Sequence, residues 1–214
     1  MKSDRADGRP LCVDLFCGDG GWTDGFLDEG FRVIGFDVIR RRRYRGELVL
    51  QDVRTIAGRS LARLRPVAMV ASPPCTGFSE ARVNPAGPGS RDQDGRFVTG
   101  HGIDTGTRDD NLLRLRPADL ELVLHTLRVI RESGVRYWAV ENVRGAMSWF
   151  EPMLGPPRFS NKPWYVWGTF PTFMLRKDYL GDKTRFRSAA LRARIPQDLS
   201  RPLARAIADA LVTA

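Results

Sequence analysis

The stretch Leu11-Cys-Val-Asp-Leu-Phe-Cys-Gly-Asp-Gly-Gly-Trp22 decides the fold. Its first part, Leu11–Phe16, is an apolar run of strand length. A glycine-rich turn follows, and then a helical pattern from about Trp22 to Glu29. A strand feeding such a turn and then a helix lets a ligand approach bare backbone amides, because glycine has no side chain to block them. Alone the loop is weak evidence, since nucleotide-binding folds and plain tight turns share it.

The residues on its carboxyl side strengthen it. Phe31–Val38 reads as a second strand carrying Asp37 near its end, placed to grip the two hydroxyls of a ribose. Leu48–Leu50 reads as a short strand before Asp52, an acid able to receive the exocyclic amine of an adenine. Either acid alone could be a cap or a surface charge. The order of loop, acid and second acid is harder to dismiss. Val67–Ala71 is a further strand, Pro117 opens an amphipathic helix that ends at Ser133-Gly134, and Tyr137–Val140 is another strand. A last helix is expected from about Leu199 to Leu211. Short apolar runs alternating with helical patterns predict an α/β fold in one domain over residues 1–214.

Two strand ends carry reactive side chains. The segment Ser72-Pro-Pro-Cys-Thr-Gly-Phe-Ser79 closes one strand. Two prolines stiffen the backbone and remove N–H donors just before Cys75, a mounting that a structural cysteine would not need. Glu141-Asn142-Val143 closes the next strand, so Cys75 and Glu141 should converge on one crevice at the carboxyl edge of the sheet. A carboxyl beside a thiolate pairs an acid/base with a nucleophile. Cys12 lies in an apolar run and reads as core. The three cysteines form neither a zinc pattern nor a disulfide framework.

Two stretches break the strand–helix rhythm. Residues 82–111 are rich in Gly, Arg, Asp, Pro and Thr, and are expected to be a mobile substrate loop. Residues 147–173 carry eight aromatic rings among prolines, expected as a small aromatic-rich appendage whose rings either pack as core or stack on bases. The net charge of +9 is almost all arginine, which suits a polyanionic partner but also follows from coding bias. The run Arg40–Arg43 is either a phosphate-contacting patch or a solvated loop. No apolar run reaches the roughly 18 residues of a membrane span, and the polar N-terminus lacks a secretory pattern. A cytoplasmic monomer is the expectation.

Together these motifs resemble the DNA cytosine-C5 methyltransferase family. Asp14-Leu-Phe-x-Gly-x-Gly-Gly resembles the family's cofactor loop, Pro73-Pro74-Cys75 with Phe78-Ser79 its nucleophile motif, and Glu141-Asn142-Val143 its catalytic acid motif. Lys183-Thr-Arg185-Phe-Arg187 is similar to the Gln-x-Arg-x-Arg motif, with lysine in the place of glutamine. The motifs follow family order from position 14 to 187, and small phage-borne methylases are the nearest subgroup.

The resemblance implies a Rossmann-like, S-adenosylmethionine-dependent methyltransferase fold. Phe16, Gly18, Asp19, Gly20, Asp37, Asp52 and Pro74 would line the cofactor pocket. Cys75 would be the nucleophile and Glu141 the acid, with Arg185 and Arg187 on the flipped base or its phosphates and Ser79 and Asn142 against the substrate. The implied activity is transfer of a methyl group to C5 of a cytosine flipped out of duplex DNA, in a bacterium or phage-infected cell. The same motifs also occur in RNA (tRNA) cytosine methyltransferases, and a catalytically silent nucleic-acid-binding relative is a further alternative. The match departs in places: Thr76 stands where glutamine is usual, the usual Gly-Asn pair before the last helix is absent, and residues 188–214 are too few for a large target-recognition domain after Arg187. Restriction–modification, self-protection and hypermodification all remain open as the biological setting.

Overall fold

The computed structural model describes residues 8–76, 78, 117–175 and 194–213. The expectations for Ser79, the 82–111 segment, Arg185 and Arg187 lie outside the described residues.

Among the described residues, seven strands form one sheet. They are β1 (Leu11–Leu15), β2 (Arg32–Asp37), β3 (Glu47–Leu50), β4 (Ala68–Ala71), β5 (Tyr137–Asn142), β6 (Phe159–Asn161) and β7 (Trp164–Thr169), in the spatial order β3-β2-β1-β4-β5-β7-β6. The first five are parallel, and β7 runs antiparallel to both β5 and β6. The helices are α1 (Gly21–Asp28), α2 (Gly58–Ala62), α3 (Pro117–Ser133), α4 (Met147–Leu154) and α5 (Gln197–Val212).

Successive side chains of a strand point to opposite faces, which sorts the core into two layers. Cys12, Val33, Val70, Ala139 and Val166 face α1 and α5, where Trp22, Phe26, Leu199, Leu203 and Ile207 wait. Val13, Ile34, Met69, Val140 and Trp167 face α3 and α4, packing with Val123, Ile130 and Phe150. The strands are apolar on both faces because helices cover both. This is a Rossmann-like α/β fold.

The aromatic segment 147–173 is built into this sheet. Strand β7 pairs with β5 and is buried on both sides, so Trp164 and Val166 turn towards α5 while Tyr165 and Trp167 turn towards α4. Phe150, Trp164, Tyr165, Trp167 and Phe170 are buried core rings and offer no open face to a base. Aromatic density here serves packing.

Two glycines let α1 lie directly on the start of α5. A Cβ at Gly21 would stand 2.6 Å from Ile195 N, and one at Gly25 would stand 2.5 Å from Arg201 N and 2.6 Å from the Ser200 carbonyl carbon. The obstacles are largely backbone and cannot swing aside. Around this contact Glu29 binds Arg201 and Arg205, Asp24 binds Arg194, and Asp28 accepts from Gln197. Gly25→Val should therefore destabilise the chain by roughly 1–3 kcal/mol, the usual range for overpacking. Urea unfolding with an unchanged midpoint would show that the two helices can part at no cost.

Candidate active site

The strand order reverses direction at β1, which has β2 on one side and β4 on the other. In such sheets the connections leave a crevice beyond the carboxyl ends at this switch point. The loop after β1 lines it. Phe16, Gly18 and Gly20 all adopt positive φ, at 59°, 48° and 79°. Glycine takes this conformation freely, whereas for a bulky phenylalanine it is strained and persists only where the surroundings dictate it. Those surroundings are a set of hydrogen bonds: Cys17 N donates to Phe36 O, Gly20 N to Cys17 O, and Gly18 N to Asp37 Oδ2 at 2.9 Å. The resulting cleft is lined by Phe16, Gly18, Asp19, Trp22, Ser72, Arg41, Arg194 and Ile195. Trp22 Nε1 donates to Ser72 Oγ at 3.0 Å, which ties α1 to the end of β4 at the cleft.

Asp14 lies beneath this loop and is buried. The Thr23 hydroxyl donates to its Oδ2 at 2.7 Å, while Oδ1 has no hydrogen-bond partner among the described residues. Burial pushes the Asp14 carboxyl up to about 7, against the lowering effect of the Thr23 hydrogen bonds. The unfolded chain releases this proton near 3.8, and the folded chain keeps it until about 7. Folding is therefore progressively penalised as pH rises across that window, and the penalty levels off above about 7. The slope attributable to Asp14 should approach about 1.4 kcal/mol per pH unit. Asp14→Asn should flatten it, as checked by urea unfolding of both proteins at pH 5 and pH 7. An identical slope in the two proteins would show that Asp14 keeps its charge.

Of the three acids expected at the cofactor, Asp37 closes β2, Asp52 follows β3, and both are engaged. Asp37 accepts from Gly18 N through one oxygen and from Ile39 N at 2.8 Å through the other. Asp52 caps the short 3₁₀ turn at Val53–Thr55, accepting from Arg54 N, and its carboxylate also pairs with the Arg54 guanidinium. The Arg54 hydrogen bonds hold the Asp52 carboxyl below its usual range. Beside them Val38 is 66% exposed, Ile39 51% and Leu50 47%. Asp37 is in register with Leu50, so this apolar ledge sits at the carboxyl ends of β2 and β3. In the sequence Val38 and Leu50 read simply as the ends of strands. The signal available was an apolar pair continuing past the acid that closes β2.

Cys75 follows β4, and Glu141 lies near the end of the neighbouring β5. Ala71 of β4 is in register with Val140 of β5, so Glu141 lies one residue beyond the last β4 pairing and Cys75 four residues beyond Ala71. Cys75 is half-buried and Glu141 buried. Asn142 joins the two segments: its Nδ2 donates to Pro73 O at 3.1 Å, and its Oδ1 accepts from Val143 N at 2.9 Å. Asn142 was expected against the substrate, but it is buried and its amide is committed to backbone. A side chain used in that way ties the Pro73-Pro74-Cys75 segment to the end of β5. The segment is held on its other side by Phe78, whose N–H donates to Cys75 O and whose ring meets Phe150 edge-on at 5.7 Å. Phe150 in turn packs on Trp167. The aromatic layer thus anchors the cysteine loop. Among the described residues, no cluster of His, Cys, Asp and Glu could hold a metal, and no helix is long and apolar enough to cross a membrane.

No family model and no curated protein sequence matches the chain. Solved structures do match it. A methyltransferase of Entamoeba histolytica, EhMeth, shares 14% identity with a TM-score of 0.51, over 78% of this chain and 56% of that one. The DNMT2 of Spodoptera frugiperda shares 14% identity with a TM-score of 0.44, over 79% and 54% of the two chains. A prophage-encoded E. coli protein, assigned as a DNA modification methyltransferase, shares 19% identity with a TM-score of 0.43, over 64% and 33%. The chain thus spans between a third and just over half of these structures' lengths. The likeness is one of fold.

Proposed function

We propose that this chain transfers a methyl group from S-adenosylmethionine to C5 of cytosine in DNA. The observation that supports the reading is the Asn142 bridge, which ties the Pro73-Pro74-Cys75 segment to the end of the strand that carries Glu141. The cleft suits the cofactor. Its left-handed glycine loop presents bare backbone, Asp37 stands at the end of β2 for the ribose hydroxyls, and the Val38–Ile39–Leu50 ledge with Asp52 suits an adenine. Phe16, Gly20 and Pro74 complete the pocket in this reading. Bound there, the sulfonium supplies an electrophilic methyl group.

Cytosine C5 is a poor nucleophile, and the protein's task is to change that. The Cys75 thiolate adds to C6, which pushes electron density to C5. Glu141 protonates or hydrogen-bonds N3, so the ring does not carry an unstabilised negative charge. After C5 is methylated, a base removes its proton and the C6–sulfur bond breaks, restoring the thiolate. In a duplex the base must first be flipped out of the stack. Arg185 and Arg187 belong to this reading as holders of the base or its phosphates.

The test is transfer of labelled methyl from the cofactor to duplex DNA or to tRNA. Label is expected in 5-methylcytosine of the duplex. Label on tRNA alone would replace DNA by RNA as substrate, and cofactor binding with no transfer to either would favour a silent relative.

A further inference from the structure

The loop between β2 and β3 carries Arg40–Arg43, and its arginines are not equivalent. Arg40, Arg42 and Arg43 are exposed, whereas Arg41 lines the cleft beside Phe16, Gly18 and Asp19. Its Nε is buried without a hydrogen-bond partner among the described residues and lies 3.8 Å from Asp19 Oδ1, close enough for attraction but too far for a hydrogen bond. Arg194, also at the cleft, is instead engaged by Asp24. A loose Arg–Asp pair at the wall of a cleft has room for a ligand that carries both charges.

Arg41 is also held in place. Tyr44 N donates to Arg41 O at 3.4 Å, closing a four-residue turn. The Tyr44 ring then drops against β2, where Gly35 makes room: a Cβ there would stand 2.5 Å from Tyr44 Cζ and 2.8 Å from Cys17 Sγ. Its hydroxyl shares a 2.7 Å hydrogen bond with Thr23, which is itself bonded to Asp14. The arginine turn is thus pinned to β1, α1 and the glycine loop at once. An exposed loop that serves only as solvated charge needs no such anchor.

We propose that Arg41 and Asp19 form a zwitterion clamp for the amino-acid half of the cofactor, Arg41 binding its α-carboxylate and Asp19 its α-ammonium. The assignment rests on the cofactor reading above and adds the residue that selects for an intact amino-acid tail. A guanidinium meets a carboxylate through two parallel hydrogen bonds, which gives Arg41 a geometric preference as well as a charge. The remaining arginines of the run are left to face solvent or phosphates.

Calorimetry with two ligands separates these roles. S-adenosylhomocysteine carries the amino-acid tail, and 5′-methylthioadenosine lacks it. Arg41→Gln should weaken S-adenosylhomocysteine by about tenfold or more and leave methylthioadenosine within about twofold. Arg41→Lys, which keeps the charge without the fork, should fall between. Arg43→Gln should leave both affinities unchanged. Equal losses for the two ligands would make Arg41 a wall of the cleft rather than a clamp, and no loss for either would leave it among the solvent-facing arginines. Both results overturn the assignment. If the wild-type protein binds neither ligand, the cofactor reading itself fails and the clamp falls with it.

Discussion

Cys75→Ser should lower methyl transfer by roughly 10³-fold or more while leaving the fold and cofactor affinity intact. The size follows from the chemistry. A serine hydroxyl is far less acidic than a thiol and makes a much weaker nucleophile towards a pyrimidine C6. Cys75 is half-buried at the edge of the sheet, and the loop around it is held by Asn142 on one side and Phe78 on the other. Neither hold involves the sulfur, so the serine variant should keep the loop where it is. A duplex containing 5-fluorocytosine provides a direct readout. The fluorine cannot leave as a proton does, so the wild type should accumulate a covalent complex that survives denaturing electrophoresis, and the serine variant should form none. A serine variant with substantial turnover would remove Cys75 from the chemistry, even if the protein still methylates DNA.

What the sequence made legible follows from how local each signal is. The strand–loop–helix at Leu11–Asp28 is written in consecutive residues, as are the amphipathic stripe of α3 and the helix of α5. The parallel strands were legible because both of their faces are covered and they read as short apolar runs. Cys75 and Glu141 are legible as a pair of strand-end residues, because adjacent parallel strands deliver their carboxyl ends to one edge. The harder cases depend on what lies across the fold. Residues 164–167, Trp-Tyr-Val-Trp, have the composition of a small β appendage, but nothing local says that this strand joins the main sheet antiparallel to β5. Asn142 looks like a polar residue at a reactive strand end, and only its distance to Pro73 O reveals a structural duty. Arg41 is one of four consecutive arginines, distinguished from its neighbours solely by the pinning of Tyr44 over Gly35.

Asn142 also supports the second large prediction. Asn142→Asp should cut turnover by roughly 10²-fold, with the loss in kcat rather than in the KM for DNA. The amide uses both ends: its N–H₂ donates to Pro73 O and its oxygen accepts from Val143 N. An aspartate keeps the acceptor but replaces the donor with an oxygen facing the carbonyl oxygen of Pro73. The site is buried, so that charge would have no water to stabilise it, and the cysteine segment must shift to relieve the contact. A displacement of about 1 Å is enough to cost roughly two orders of magnitude when a nucleophile must meet one ring carbon. Asn142→Ala removes both hydrogen bonds without adding a charge, so it should be milder on activity and cost roughly 1–3 kcal/mol of stability. Measuring 5-fluorocytosine trapping rates alongside cofactor affinity distinguishes a positioning role from a substrate contact. A positioning role slows trapping in both variants at saturating DNA, with cofactor affinity unchanged. If instead the KM for DNA rises while trapping at saturation stays at the wild-type rate, Asn142 touches the substrate after all, and the bridge to Pro73 must open when DNA binds.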